Sequence, residues 1–106
     1  MSTMSDLQVT QIVGEDIHLT FVELCRAVRV PEQQLHAWVV EGVLEPIGTA
    51  PQEWRFAGAS LRRARIAVTL TRELEINNAG VALALDLMDE IDALKARLRT
   101  GGLDKS

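Results

Sequence analysis

The stretch TFVELCRAVRVPEQQLHAWVVEGVLEP, residues 20–46, decides the fold, because it reads as two short helices joined by a tight turn. Thr20 stands three residues before Glu23. At that capping-box spacing a hydroxyl and a carboxylate exchange hydrogen bonds with free backbone amides, so a helix begins there. Phe21, Leu24, Cys25 and Val28 recur at helical spacing and form its buried face. Pro31 suits the first turn of a second helix, since its missing amide donor would be unpaired there anyway, and Leu35, Trp38 and Val39 follow at helical spacing. That helix is expected over residues 31–41, ended by Gly42, which takes the left-handed conformation at low cost.

Downstream, Val43, Leu44 and Pro46 lead into an irregular segment, and residues 47–56 read as a small hairpin or loop with Trp54 and Phe56 facing one way. Residues 58–74 keep helical spacing through Leu61, Ala64 and Val68 and through Ile66, Leu70 and Leu74, which predicts a third helix. Asn77, Asn78 and Gly80 break it. A last helix is expected over residues 79–99, apolar nearly all round through Leu85 and then narrowing to a seam of Leu87, Ile91, Leu94 and Leu98. Steps of four, three and four residues match a short coiled coil, and a second copy of the chain is the simplest partner; packing on the third helix is the alternative. Upstream, Val9, Ile12, Val13 and Ile17 alternate loosely around Gly14 and suggest a strand or two.

The expected fold is therefore mainly α: a helix-turn-helix with a small wing, then two longer helices, the last forming a coiled-coil-like dimer seam. One domain spans residues 1–106, with a strand-like or flexible segment at 1–18, the helix-turn-helix and wing at 19–56, the two long helices at 57–99 and a disordered tail at 100–106. A chain this small buries only about two thirds of its unfolded surface, so self-association would add stability.

Composition narrows the function. At 47% apolar and 25% charged the chain is that of a packed protein. Its net charge of -4 argues against blanket attraction to phosphate backbones or anionic membranes. The single cysteine, Cys25, excludes an internal disulfide and falls in the apolar stripe of the first helix. No charged-then-apolar leader opens the chain and no apolar run approaches the roughly 20 residues of a membrane span, so a cytoplasmic location is expected. His18 and His36 lack companions at metal-site spacing, and no phosphate-cradling glycine loop is present. No cofactor, metal or catalytic residue is expected, and the chain reads as a non-enzymatic interaction module.

The order of elements resembles the winged helix-turn-helix of MerR-type regulators, in which the second helix enters the major groove. Yet residues 30–54 hold no lysine or arginine against Glu32, Glu41, Glu45 and Glu53. Such a surface repels DNA. A closer resemblance covers nearly everything after His18. LTFVELC at 19–25, GVLEP at 42–46, WRF at 54–56 and GVALALDLMDEI at 80–91 followed by Leu94 and Lys95 are similar to the CbpM chaperone modulators, proteins of MerR-like architecture. The resemblance implies binding to the J domain of a CbpA-like (DnaJ-type) co-chaperone and inhibition of its stimulation of Hsp70. It also implies a cytoplasmic location, or a nucleoid-associated one through that partner.

A J domain offers a basic helix, so acidic surfaces are the candidates. Asp86, Asp89 and Glu90 share one face of the last helix in a run without cations, and Glu41 and Glu45 follow the second helix. The bland reading of Asp86, Asp89 and Glu90 is a solvated face paired with arginines of the third helix, among them Arg62, Arg63, Arg65 and Arg72. Those arginines in turn could touch phosphate, which keeps a MerR-type DNA-binding transcriptional regulator as the second hypothesis.

Overall fold

A computed structural model of the chain describes residues 18–105. Its elements run β1 (Leu19–Thr20), α1 (Phe21–Val28), α2 (Glu32–Val40), a 3-10 turn (Pro51–Glu53), β2 (Arg55–Phe56), α3 (Gly58–Leu74) and α4 (Asn78–Lys105). This is the mainly helical, MerR-like order. Of the N-terminal segment read as strand-like or flexible, residues before His18 lie outside the described ones, His18 itself is in no strand, and β1 begins at the next residue.

Thr20 caps α1 as its spacing predicts. Its hydroxyl accepts from the Glu23 backbone N–H at 3.1 Å, and the Glu23 carboxylate accepts from the Thr20 N–H at 2.8 Å. The helix ends at Arg29, a non-glycine residue held left-handed at φ 61°. Pro31 stands one position earlier than expected, as the cap of α2 and not inside it, and its carbonyl accepts from Gln34 and Leu35. After α2, Gly42 at φ 85° turns the chain so that the Val43 N–H reaches the Trp38 carbonyl at 2.8 Å.

The wing is built on two antiparallel pairings of the same segment. Arg55 exchanges backbone bonds with Ile47 at 2.8 and 3.0 Å, while Leu19 and Thr20 pair with Phe56 and Arg55. Trp54 and Phe56 do lie to one side, their ring centres 6.3 Å apart.

Leu24, Leu35, Trp38, Val43, Leu44, Phe56, Leu61, Val81 and Leu85 form the centre of the core, all fully or almost fully buried. Cys25 is buried beside them, and burial, with a smaller contribution from the Glu32 carboxylate, pushes its thiol above the ordinary value. Trp38 is tied across the fold: its Nε1 donates to Asn78 Oδ1 at 3.1 Å, and the same oxygen accepts from Gln34 Nε2 at 3.0 Å. Asn78 opens α4, so this node fixes the long helix to α2.

α3 spans the predicted residues, and Glu75, left-handed at φ 54°, stops it. α4 departs from expectation at both ends. It starts at Asn78, with Asn77 Oδ1 accepting from the Gly80 N–H at 2.8 Å. It then runs to Lys105, so the tail expected to be disordered from residue 100 is helical as far as it is described. Glycine weakens a helix without removing a backbone donor, unlike proline, and Gly101 has open space around it. Nor is α4 buried all round up to Leu85, since Leu83 is exposed.

Candidate protein-interaction site

From Asp86 to Gly101 every residue of α4 is exposed. The helix leaves the core after Leu85 and projects as an arm, about 30 Å long from residue 86 to 105 at 1.5 Å per residue. Leu87, Ile91, Leu94 and Leu98 are each about half or more exposed along it. The seam therefore does not pack on α3 of its own chain.

Where the arm leaves the core, a groove of about 640 Å³ opens between it, α3 and the loop after α2. Val39, Leu44 and Pro46 give it an apolar side, and Glu45, Asp86 and Asp89 line it from two different elements. The fold thus brings together two acidic sets that lie about forty residues apart in the chain. Glu41, the cap of α2, is exposed next to Gly42 on the groove wall, and Glu90 is exposed on the arm outside the lining.

Arg63 organises this groove. Its Nε donates to the Val43 carbonyl at 2.7 Å, one Nη reaches Asp86 at 3.2 Å, and the other pairs with Asp89. The guanidinium side chain is only 20% exposed, whereas the two aspartates are 70% and 66% exposed. Each carboxylate therefore turns one edge to the arginine and keeps acceptor capacity toward solvent. One guanidinium against Asp86, Asp89 and Glu45 leaves the wall negative. The pairing with a third-helix arginine weighed from sequence is present, and it holds the acids in place without covering them. Sequence gave no means of choosing Arg63 over its neighbours, and the Asn78 acceptor had no signal at all.

The face of α2 that would read DNA is equally informative. Gln34 and Trp38 point inward to Asn78, which leaves Glu32, Gln33, His36 and Val40 outside. No cation is available there to neutralise phosphate. Among the described residues no group of His, Cys, Asp and Glu is arranged to hold a metal ion, and no helix is long and apolar enough to cross a membrane.

The sequence matches known proteins over most of its length. Residues 19–100 match the MerR HTH family of regulatory proteins. The chain is 40% identical to the chaperone modulatory protein CbpM of Coxiella burnetii (strain Dugway 5J108-111), over 84% of each chain. It is 35% identical to the protein of the same name from Pseudomonas putida (strain W619), over 76% of this chain and 79% of the relative. With that of Pseudomonas entomophila (strain L48) it shares 41% over 56% and 62%.

Proposed function

Because the chain belongs to the MerR HTH regulatory family and, within it, to the CbpM chaperone modulators, we propose that its partner is the J domain of a CbpA-like co-chaperone. A chaperone-modulating role follows from the membership itself. The finer reading is that the groove beside Arg63 covers the basic helix a J domain offers to Hsp70, so that ATP hydrolysis is no longer stimulated. No bond is made or broken by the modulator, which acts by occupancy alone and in the cytoplasm.

The observation that carries this reading is the convergence of exposed carboxylates from two elements on one partly apolar groove. Glu45 approaches from the loop, Asp86 and Asp89 from the arm, with Glu41 and Glu90 at the margins. Opposite potential speeds encounter and fixes orientation, while Val39 and Pro46 supply area that excludes water. Arg63 restrains the aspartates before the partner arrives, which lowers the ordering entropy lost on binding. The DNA-reading alternative lacks such support, given the uncharged and acidic outer face of α2.

A second copy of the chain is the reading for the seam. Leu87, Ile91, Leu94 and Leu98 leave an apolar stripe that a monomer would keep in water, and since fully burying an exposed side chain of this size is worth about 1.5–3 kcal/mol, covering each half-exposed one is worth about 1 kcal/mol.

Calorimetric titration with the J domain of a CbpA-like co-chaperone, and with a DnaJ-type J domain as control, tests the assignment. Saturable binding to the first is expected. Reversing Asp86, Asp89 and Glu90 together to lysine is expected to weaken it at least about tenfold, with the circular dichroism unchanged. Wild-type affinity in that folded variant removes the arm from the interface, and absence of binding to either J domain removes the function.

A further inference from the structure

On another part of the surface, sharing no lining residue with the acidic groove, α1, α2 and the wing border an open cleft of about 400 Å³. Its walls are aromatic. Trp54 stacks on His36 with ring centres 5.9 Å apart and a 28° tilt, and Phe21 meets Trp54 at 6.1 Å. Val22 and Pro51 complete the apolar lining, and Val22 is 43% exposed despite its size. Phe21 and Trp54 pack on the core from outside, against Phe56 at 6.4 and 6.3 Å, and each stays only partly buried toward the cleft, while His36 is exposed.

Arg55 is the charged residue on the rim. Its Nη1 donates to the Trp54 carbonyl at 2.8 Å, which holds the guanidinium beside the tryptophan. No carboxylate among the described residues pairs with it, so the outer edge of the fork stays available. The Glu23 carboxylate accepts from the Thr20 backbone N–H at 2.8 Å as part of the α1 cap. Sites for small ligands have this make-up: a cleft of a few hundred Å³, mainly apolar and aromatic, with a few polar groups that fix orientation.

We propose that this cleft binds small planar aromatic carboxylates, the ring lying against Phe21, His36 and Trp54 and the carboxylate meeting Arg55. Shape selects the ring, because offset and tilted aromatic contacts are the favourable ones and the three walls already present such faces. Charge selects the anion, because an arginine fork matches a carboxylate with two donors. A neutral analogue keeps the stacking and loses the fork. A cationic analogue meets repulsion.

The experiment titrates the full-length ¹⁵N-labelled protein with 1-naphthoate, 1-naphthalenemethanol and 1-naphthylmethylamine and follows the amide and indole resonances. The Trp54 indole is expected to shift saturably while that of Trp38, buried on Asn78, stays in place. The acid is expected to bind about tenfold more tightly than the alcohol, and the amine most weakly. Arg55→Gln is expected to bring the acid to the affinity of the alcohol, with folding read from the unmoved Trp38 resonance. His36→Ala is expected to weaken all three alike. Equal affinities for the three compounds, shifts centred on the acidic groove or the arm, or no saturation in the millimolar range would each overturn the proposal.

Discussion

Replacing Asn78 by alanine tests the tie between the helix-turn-helix and the arm. Its Oδ1 accepts from Trp38 Nε1 at 3.1 Å and from Gln34 Nε2 at 3.0 Å. Trp38 has no exposed surface, so its indole N–H finds no water when the acceptor goes, and an orphaned buried donor costs about 1–3 kcal/mol. Gln34 is half-buried and recovers part of its bond from solvent, adding about 0.5–1 kcal/mol. The sum, about 1.5–4 kcal/mol, is a large share of the roughly 5–15 kcal/mol a domain of this size holds. It corresponds to a fall in Tm of roughly 6–30 °C. Asn78→Asp keeps the acceptor and adds a negative charge at a helix N-terminus, so it is expected to stay near the wild type. Urea titrations followed by circular dichroism and tryptophan fluorescence read both variants. A loss below about 0.5 kcal/mol in Asn78→Ala, or equal losses in the two variants, refutes the reasoning. A cycle with Trp38→Phe isolates the indole bond, because the coupling vanishes once that donor is gone.

Leu94→Asp is expected to give a folded monomer by sedimentation equilibrium, since it places a charge at the middle of the exposed seam; a persistent dimer of unchanged affinity contradicts the seam. Arg63→Met is expected to cost about 1–2 kcal/mol in urea unfolding by leaving the Val43 carbonyl without its donor, whereas Asp86→Asn and Asp89→Asn each cost under about 0.5 kcal/mol because those carboxylates are exposed. The raised Cys25 thiol makes a pH prediction. The folded state holds that proton more tightly than the unfolded one, so stability is full below the unfolded thiol's value of about 8.5 and falls as pH rises above it. Cys25→Ala is expected to flatten this alkaline loss in urea titrations at a series of pH values, and thiol labelling of the native protein is expected to be slow until urea unfolds it. Mobility shifts with duplex DNA are expected to show no binding at physiological salt, in keeping with the cation-free face of α2.

What the sequence reveals here is what local rules govern. The Thr20–Glu23 cap, the bounds of α3 and the turn at Gly42 each depend on neighbours within about four residues, and spacing alone places them. The Asn78 acceptor escapes the sequence because its donors lie 40 and 44 residues away and an asparagine beside Asn77 and Gly80 reads as a helix breaker. The same local habit truncates α4 at Gly101, where glycine carries only a propensity penalty. The acidic residues were visible one by one. That Glu45 and Asp86 line one groove depends on how α4 crosses the loop after α2, a tertiary fact with no periodic signature. The aromatic cleft is of the same kind, since Phe21, His36 and Trp54 come from three elements and each alone reads as core or surface.

The geometry of α4 leaves room for both of the proposed partners on one helix. At about 100° per residue, Val81 and Leu85 point together toward the core and Leu87, Ile91, Leu94 and Leu98 point together some 130° away from them. Asp86 and Asp89 fall between these two directions and at the edge of the core side, which is why Arg63 of α3 reaches them. Glu90 flanks the seam instead. A second copy on the seam therefore leaves the groove open, and a dimer would carry two grooves on opposite flanks of its paired arms. It follows that seam and groove variants should act independently. Leu94→Asp should leave the intrinsic affinity for a J domain within about twofold, since mutations that share no partner are close to additive, while changing the mass of the complex. Glu90→Lys is the exception, a residue at the margin of both surfaces, whose reversal should weaken the dimer as well as the complex. If Leu94→Asp abolished J-domain binding while the chain stayed folded, the groove would need both copies, and the arm would be part of a composite site.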